Sequence, residues 1–337
     1  METLSSPIQT PTMQAMLAPS YGSPDALHLA VIPKPVPKDT EVLVRVHAAG
    51  LHIGDCFAVR GRPFLMRMET GWLRPKTGIP GFDVAGFVEK VGVKVKRFQP
   101  GDEVFGECRG SCAKYVAASE QRLAIKPAGL TMIEAAALPT SGLAVLHALR
   151  DVAKIRPGES VLINGASGGI GTLAVQLAKS FGAEVTGVCS TRNMSMVRSL
   201  GADHVIDYTQ HDFTTGDQLY DCIFDNVENR SLADVRRVLG PTGTLICNSG
   251  TGASGLAFWI RLLKPLLLSP FTSQSLRRYL SVPNHEDLVV LGEFVTSGKL
   301  KPVIASEHAM VDVADALHQL EQGHTAGKRV VNVLENH

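Results

Sequence analysis

The chain has 337 residues, enough for two domains with cores of their own. Hydrophobic residues make up 45%, charged residues 19%, and the formal net charge is +1; this suits a soluble α/β protein and, with no long basic block, excludes nucleic acid as a partner. Six scattered cysteines (Cys56, Cys108, Cys112, Cys189, Cys222, Cys247), several in predicted strands, argue for reduced thiols in a cytoplasmic setting rather than a disulfide frame.

Residues 1–15 read as a disordered tail. The first twelve are Ser/Pro/Thr-rich and free of Lys and Arg, unlike a secretory or organellar leader. Residues 16–133 carry short strands broken by Gly and Pro and predict a compact, mostly β domain. Glu41–His47 alternates Val42, Val44 and Val46 against Leu43 and Arg45. Residues 82–89 and 103–106 are further strands, the second preceded by the turn signal Pro100-Gly101-Asp102.

At Thr131 the period changes. Thr131 with Glu134 three residues on is a capping box, so a helix begins there, and a second helix covers 142–150. Over 134–284 strands and helices then alternate, with strands at 160–164, 184–189, 204–207, 220–225 and 243–248. Arg277–Val282 is a candidate sixth strand. Such alternation predicts a doubly wound parallel sheet. The last segment, 285–337, holds two helices and two strands and is expected to return to the first domain.

The first of those parallel strands runs into Gly165-Ala166-Ser167-Gly168-Gly169-Ile170-Gly171, and a helix follows. From Ala166 the turn has the form A-x-G-x-x-G, a variant of the dinucleotide fingerprint. Gly168 would let the backbone approach a pyrophosphate, Gly171 would let the helix pack closely on the strand, and the helix-start N–H groups would face the phosphates.

Residues 257–268 form an apolar stretch too short to span a bilayer, interrupted by Arg261, Lys264 and Pro265. Two readings are open: a pocket wall or subunit contact, as in a homodimer, or contact with a membrane surface.

From about Met16 to Leu334 the sequence resembles the medium-chain dehydrogenase/reductase superfamily, and within it the zinc-lacking quinone oxidoreductase-like branch. The resemblance rests on Tyr21-Gly22, on the run Gly81 to Gly86, on Pro100-Gly101-Asp102-Glu103-Val104, on Ala135-Ala136-Ala137-Leu138-Pro139, on the glycine turn, on Leu200-Gly201-Ala202-Asp203, and on Gly298 to Pro302 and Gly327-Lys328. The run Cys189 to Asn193 and the apolar stretch before Phe271 look like the chloroplast-envelope quinone oxidoreductase homologues. The resemblance implies a GroES-like substrate domain joined to a Rossmann domain.

It also frames the metal question. Zinc-dependent relatives place a Cys three residues before an Asp, a His in a Gly-His-Glu, and a later Cys at a helix start. Here those places hold His52, Phe82, and Thr140 or Ser141. Phe cannot ligate a metal and a hydroxyl is a poor zinc ligand, so no metal is expected. Cys108 and Cys112, spaced C-x3-C with no second pair nearby, do not suggest a structural zinc site either.

Where the second strand ends, Ser190-Thr191-Arg192 replaces the carboxylate usual in NAD enzymes and suits the 2′-phosphate of NADPH. By resemblance, Tyr208 lies near the adenosine phosphate and Asn248-Ser249 near the nicotinamide. Thr140 and Lys328 are further carry-overs to the cofactor site, the latter readable also as a surface lysine. His52, where relatives commonly carry Asn, is the titratable candidate for the substrate pocket. It is either a hydrogen-bond or proton donor to a developing enolate or a packed histidine. Asp55 reads as structural. The expected activity is NADPH-dependent reduction of a small apolar quinone or enone. The alternatives are an NADPH-binding protein with a structural or regulatory role, and a zinc-free alcohol dehydrogenase.

Overall fold

The computed structural model describes residues 11–64, 67–248, 263–265, 267–323 and 325–334. Strands β1 (Thr12–Leu17) and β2 (His28–Pro33) form an antiparallel pair. β1 begins inside the stretch that composition assigns to a disordered tail. Met13 and Ala15 are buried while Thr12 and Gln14 are exposed, an alternation that the preceding Ser/Pro/Thr-rich run conceals.

β3 (Glu41–Leu51) is the spine of the first domain. Helix α1 (Ile53–Arg60) and the short α2 (Arg67–Thr70) follow it, then β4 (Asp83–Val91), β5 (Glu103–Glu107), β6 (Tyr115–Ser119) and β7 (Leu123–Ile125). Thr131 caps α3 (Met132–Ala136) through the reciprocal box with Glu134. Helix α4 (Pro139–Leu146) starts three residues earlier than the sequence predicts and runs on as a π-helix over His147–Ala153.

The second domain comprises β8 (Ser160–Asn164), α5 (Gly171–Ser180), β9 (Glu184–Cys189), α6 (Met194–Ser199), β10 (His204–Asp207), β11 (Tyr220–Asp225), α7 (Leu232–Arg237), β12 (Leu239–Cys247) and β13 (Ser275–Arg277). The strands form one parallel sheet in the order β10-β9-β8-β11-β12-β13. Strand order reverses between β8 and β11, the point where a doubly wound sheet opens a crevice. Val161, Leu162 and Ile163 of β8 are all fully buried, as expected of a strand covered on both faces. The sixth strand is Ser275–Arg277, paired with Thr244–Ile246, and so lies earlier than the predicted 277–282.

The chain then returns through α8 (His285–Thr296), β14 (Ile304–Ala309), α9 (Val313–Glu321) and β15 (Lys328–Asn332). β14 and β15 complete a seven-stranded sheet with the strands of the first domain. One edge of β3 is shared: Glu41–Arg45 pair with β6 and Ala48–Leu51 with β15. β15 therefore lies along β3, with Lys328 and Arg329 at the cleft between the domains. Of the apolar stretch 257–268, residues 257–262 and 266 lie outside the described residues.

Candidate active site

The glycine turn lies at the carboxyl end of β8, at the crevice. Gly165 has φ +81°, and the Gly165 and Ala166 N–H groups both donate to the Val188 carbonyl at 3.2 and 3.0 Å, anchoring the turn to β9. A Cβ on Gly171 would lie 2.1 Å from the Gly165 carbonyl oxygen, so the helix can start there only with glycine. A Cβ on Gly168 would find nothing nearer than 3.5 Å. The protein itself leaves room at Gly168, and an external group would be needed to make glycine necessary. Helix α5 has no side-chain cap at its N-terminus. Gly168, Gly169, Ile170 and Gly171 line a cleft of about 510 Å³, as do Gly165 and Ser167. Uncapped helix-start amides beside a loop with spare room fit the pyrophosphate of a dinucleotide.

Ala166 is fully buried and does not line the cleft. Its smallness has another use. A Cβ on Gly187 would come within 3.0 Å of the Ala166 Cβ, so Ala166 allows strand and turn to close up.

At one end of the cleft stand Ser190, Arg192, Asn193 and Tyr208. Asn193 donates to the Ser167 hydroxyl at 3.1 Å and the Ser190 hydroxyl at 3.3 Å, tying this end to the glycine turn. Thr191, expected to join them, faces away. Its hydroxyl donates to Asp207, which also accepts from the Thr209 N–H and hydroxyl at 2.9 and 2.7 Å. The Thr191 hydrogen bond, with those from Thr209, holds the Asp207 carboxyl below the usual carboxylate range although burial pushes the other way.

At the other end the floor is made by the first domain. His52 caps α1: its Nδ1 accepts from the Gly54 N–H at 3.0 Å, and Asp55 returns the bond from the His52 N–H at 2.8 Å. Asp55 is fully buried and also accepts from the Gly81 N–H at 2.8 Å. Burial nonetheless raises its pKa. Because Nδ1 accepts from an amide, Nε2 carries the ring proton. Nε2 is buried without a hydrogen-bond partner, and His52 lines the cleft with its ring on Phe82, centroids 5.2 Å apart.

Thr140 is not at the cleft. Its N–H donates to Asp83 at 2.9 Å and its hydroxyl donates to the same Oδ1. Its neighbour Ser141 takes the place at the lining. Lys328 does reach the cleft, but it is 3% exposed and its ammonium is committed. It lies 3.3 Å from Asp83 Oδ2 and donates to Ser141 Oγ at 3.1 Å. Asn248 stands behind the lining and donates to Asn226 at 2.8 Å. Ser249 lies outside the described residues.

Sequence reasoning missed Asn164, Ser141, Asn226 and Asn229, all at the lining. Asn164 donates to the buried Asp225 at 2.8 Å, and Asp225 also accepts from the Val227 and Glu228 N–H groups. Burial raises the Asp225 carboxyl. A signal existed for the three asparagines, since Asn164 ends β8 and Asn226 and Asn229 follow β11, the two strands that flank the switch point, but not for Ser141, which lies on α4.

Two family models match the chain: the alcohol dehydrogenase GroES-like domain over residues 38–190 and the zinc-binding dehydrogenase over 200–331. The chain is 33% identical to the chloroplast envelope quinone oxidoreductase homolog of Arabidopsis thaliana, covering 95% of this chain and 98% of that one. It belongs to the medium-chain dehydrogenase/reductase superfamily, in its quinone oxidoreductase-like branch. It is also 32% identical to the NADPH-dependent alkenal/one oxidoreductase of A. thaliana chloroplasts, over 95% of this chain and 79% of the relative. The quinone oxidoreductase structure from Coxiella burnetii superimposes with a TM-score of 0.83 at 30% identity, covering 96% of this chain and all of that one.

This member of the superfamily is an oxidoreductase with a nicotinamide cofactor. Among the described residues no group of three or more His, Cys, Asp or Glu is placed to hold a metal ion. Cys108 and Cys112 are buried, and burial raises both thiols well above their ordinary range. Among the described residues no helix is long and apolar enough to cross a membrane.

Proposed function

We propose that the protein is an NADPH-dependent, metal-independent reductase of quinones or of the C=C of α,β-unsaturated carbonyls. The observation that carries this reading is the shared cleft, with the glycine turn on one side and the unpartnered His52 Nε2 on the other. The names of the two plant relatives, one a quinone oxidoreductase homolog and one an alkenal/one oxidoreductase, support it.

The turn from Gly165 to Gly171 would hold the pyrophosphate, and Ser190, Arg192 and Tyr208 the adenosine end with its 2′-phosphate. Asn164 and Asn226 would flank the nicotinamide ribose, which the crevice brings over the ends of β8 and β11. The bound nicotinamide would supply a hydride to the β-carbon or the quinone ring. His52 or water would then supply the proton that quenches the developing enolate, His52 through its Nε2–H. Leu51 and Ile53 line the cleft beside His52, and Phe82 packs on its ring.

Six free, buried cysteines support operation in the reducing cytoplasm. A homodimer is part of the proposal, supported by the edge position of β13 and by Phe271 and Leu280, 88% and 85% exposed beside it. Sedimentation velocity reads that part. The activity itself is read by NADPH absorbance with a panel of enones and quinones. Steady oxidation with one or more of them is expected; binding of NADPH with no turnover on any would leave a binding protein instead. Chelator should leave the rate intact, and one equivalent of zinc lost together with activity would overturn metal independence.

A further inference from the structure

Asp83, Lys328 and Ser141 come from β4, β15 and α4, and together they build a buried polar cluster at the cleft, which Lys328 and Ser141 line. All three are buried, at 0%, 3% and 1% exposure. Asp83 is fully engaged: one oxygen takes the Thr140 N–H and hydroxyl, the other faces the Lys328 ammonium. The lysine stem is held as well, since it lies where a Cβ on Gly169 would be 2.8 Å from its Cδ.

An ammonium has donors only, so in the 3.1 Å contact Ser141 Oγ must be the acceptor. Among the described residues this is the hydroxyl's one hydrogen bond, which leaves the Ser141 proton to point elsewhere. Ser141 lines the cleft that His52 lines from the opposite domain. The cleft therefore presents two donors with no hydrogen-bond acceptor among the described residues, His52 Nε2–H, 3.9 Å from Asp55 Oδ2, and Ser141 Oγ–H. Donors without acceptors in a dry site are an arrangement for a charge that appears only during reaction.

We infer that Ser141 donates to the substrate oxygen that becomes anionic, and that Lys328, held by Asp83, is the positioning residue that fixes this hydroxyl. The inference rests on the reductase reading above. Hydride addition at the β-carbon breaks the C=C π bond and moves its electron pair through the conjugated system onto the oxygen. Ser141 stabilises that oxygen without forming a covalent bond. The completing proton comes from His52 or water: in an enone it goes to the α-carbon, in a quinone to oxygen with ring tautomerisation to the hydroquinone, and Ser141 keeps its own. The ammonium polarises the hydroxyl from behind and strengthens its donation.

The test is a double-mutant cycle on Ser141→Ala and Lys328→Gln, with benzoquinone and pent-1-en-3-one as substrates and NADPH affinity followed by nucleotide fluorescence. Ser141→Ala should lower kcat by about 10²-fold, the effect of losing one oxyanion donor, with NADPH affinity unchanged and Ser141→Thr restoring most of the rate. Lys328→Gln should lower kcat in the native background and change it by less than twofold when Ser141 is already Ala. A purely structural lysine would cut the rate equally in both backgrounds, and that result would overturn the positioning role. Turnover within twofold of native in Ser141→Ala would overturn the donor role, and this variant removes one small hydroxyl and should fold whatever happens at Lys328. If the native protein oxidises NADPH with none of the panel, the reductase reading itself is what fails.

Discussion

Gly171 and Gly165 approach so closely that any side chain on the first would strike the carbonyl of the second, at 2.1 Å. Gly168, three residues before Gly171, has no such neighbour. The two glycines should thus fail differently. Gly171→Ala should destabilise the fold by roughly 1–3 kcal/mol, the cost of overpacking a filled core. Gly168→Ala should keep the native thermal midpoint within a degree or two yet weaken NADPH binding at least tenfold. Thermal unfolding and nucleotide titration on both variants check this. A Gly168→Ala protein that binds NADPH normally would remove the turn from the cofactor site.

On the proposed reading Arg192 is the residue that would set the choice between cofactors, because Thr191 is turned toward Asp207 and leaves that end to Ser190, Arg192 and Tyr208. Arg192→Asp should cost about 1.5–3 kcal/mol of NADPH binding, through a lost charge-assisted contact and added repulsion. NADH should lose far less. The ratio of the two dissociation constants is the readout, and an unchanged ratio would reject the assignment.

His52→Asn should leave fold and cofactor affinity unchanged, since Asn is a good helix N-cap and can replace Nδ1 as acceptor for the Gly54 N–H. Asn cannot shuttle a proton near neutral pH. Turnover should fall about 10²-fold if the imidazole is the proton source. Near-native turnover would assign the proton to water.

Asp287 offers a prediction on acid stability. Burial alone would raise its carboxyl, but hydrogen bonds from Arg150, Asn284 and His147 outweigh burial and hold it well below the ordinary Asp range. A depressed folded pKa contributes stability that is present above the unfolded value of about 3.9 and is lost as pH falls toward the folded one. Asp287→Asn should therefore unfold at lower temperature than the native protein at pH 7, by roughly 1–3 kcal/mol. The gap should close as pH drops from about 5 toward 2. A gap independent of pH would mean that the ionised carboxylate is not what stabilises this corner.

The glycine turn and the doubly wound sheet were legible because they are local. A strand, a glycine spacing and a helix follow one another in sequence, and the period of the apolar residues changes at Thr131, where the helix does begin. Relations between distant segments were not legible. Nothing near Thr140 or Thr191 tells that Asp83 and Asp207 will take their hydroxyls. Lys328 looks like a lysine in a charged pair, Lys328-Arg329, and only the packing of β15 beside β3 buries it. Thr12–Leu17 has a strand's alternation, but a strand needs a partner, and the partner is β2.

The Gly327 N–H donates to the Ser167 carbonyl at 2.9 Å, and Gly168 and Gly327 form an isolated parallel bridge. The glycine turn is thus joined to residues synthesised long after it. Before β15 has been synthesised, β8, β9 and α5 can already have assembled, but the turn lacks its outer neighbour and β3 lacks half of one edge. A nascent chain can therefore hold only the inner side of the glycine turn, and the turn's outer side forms when Gly327 and β15 emerge and dock. Contacts of such long range are slow to form. A chain released short of β15 would be left with an open sheet edge and a loose glycine turn at once, so on the proposed reading early termination and loss of nucleotide binding would be a single event.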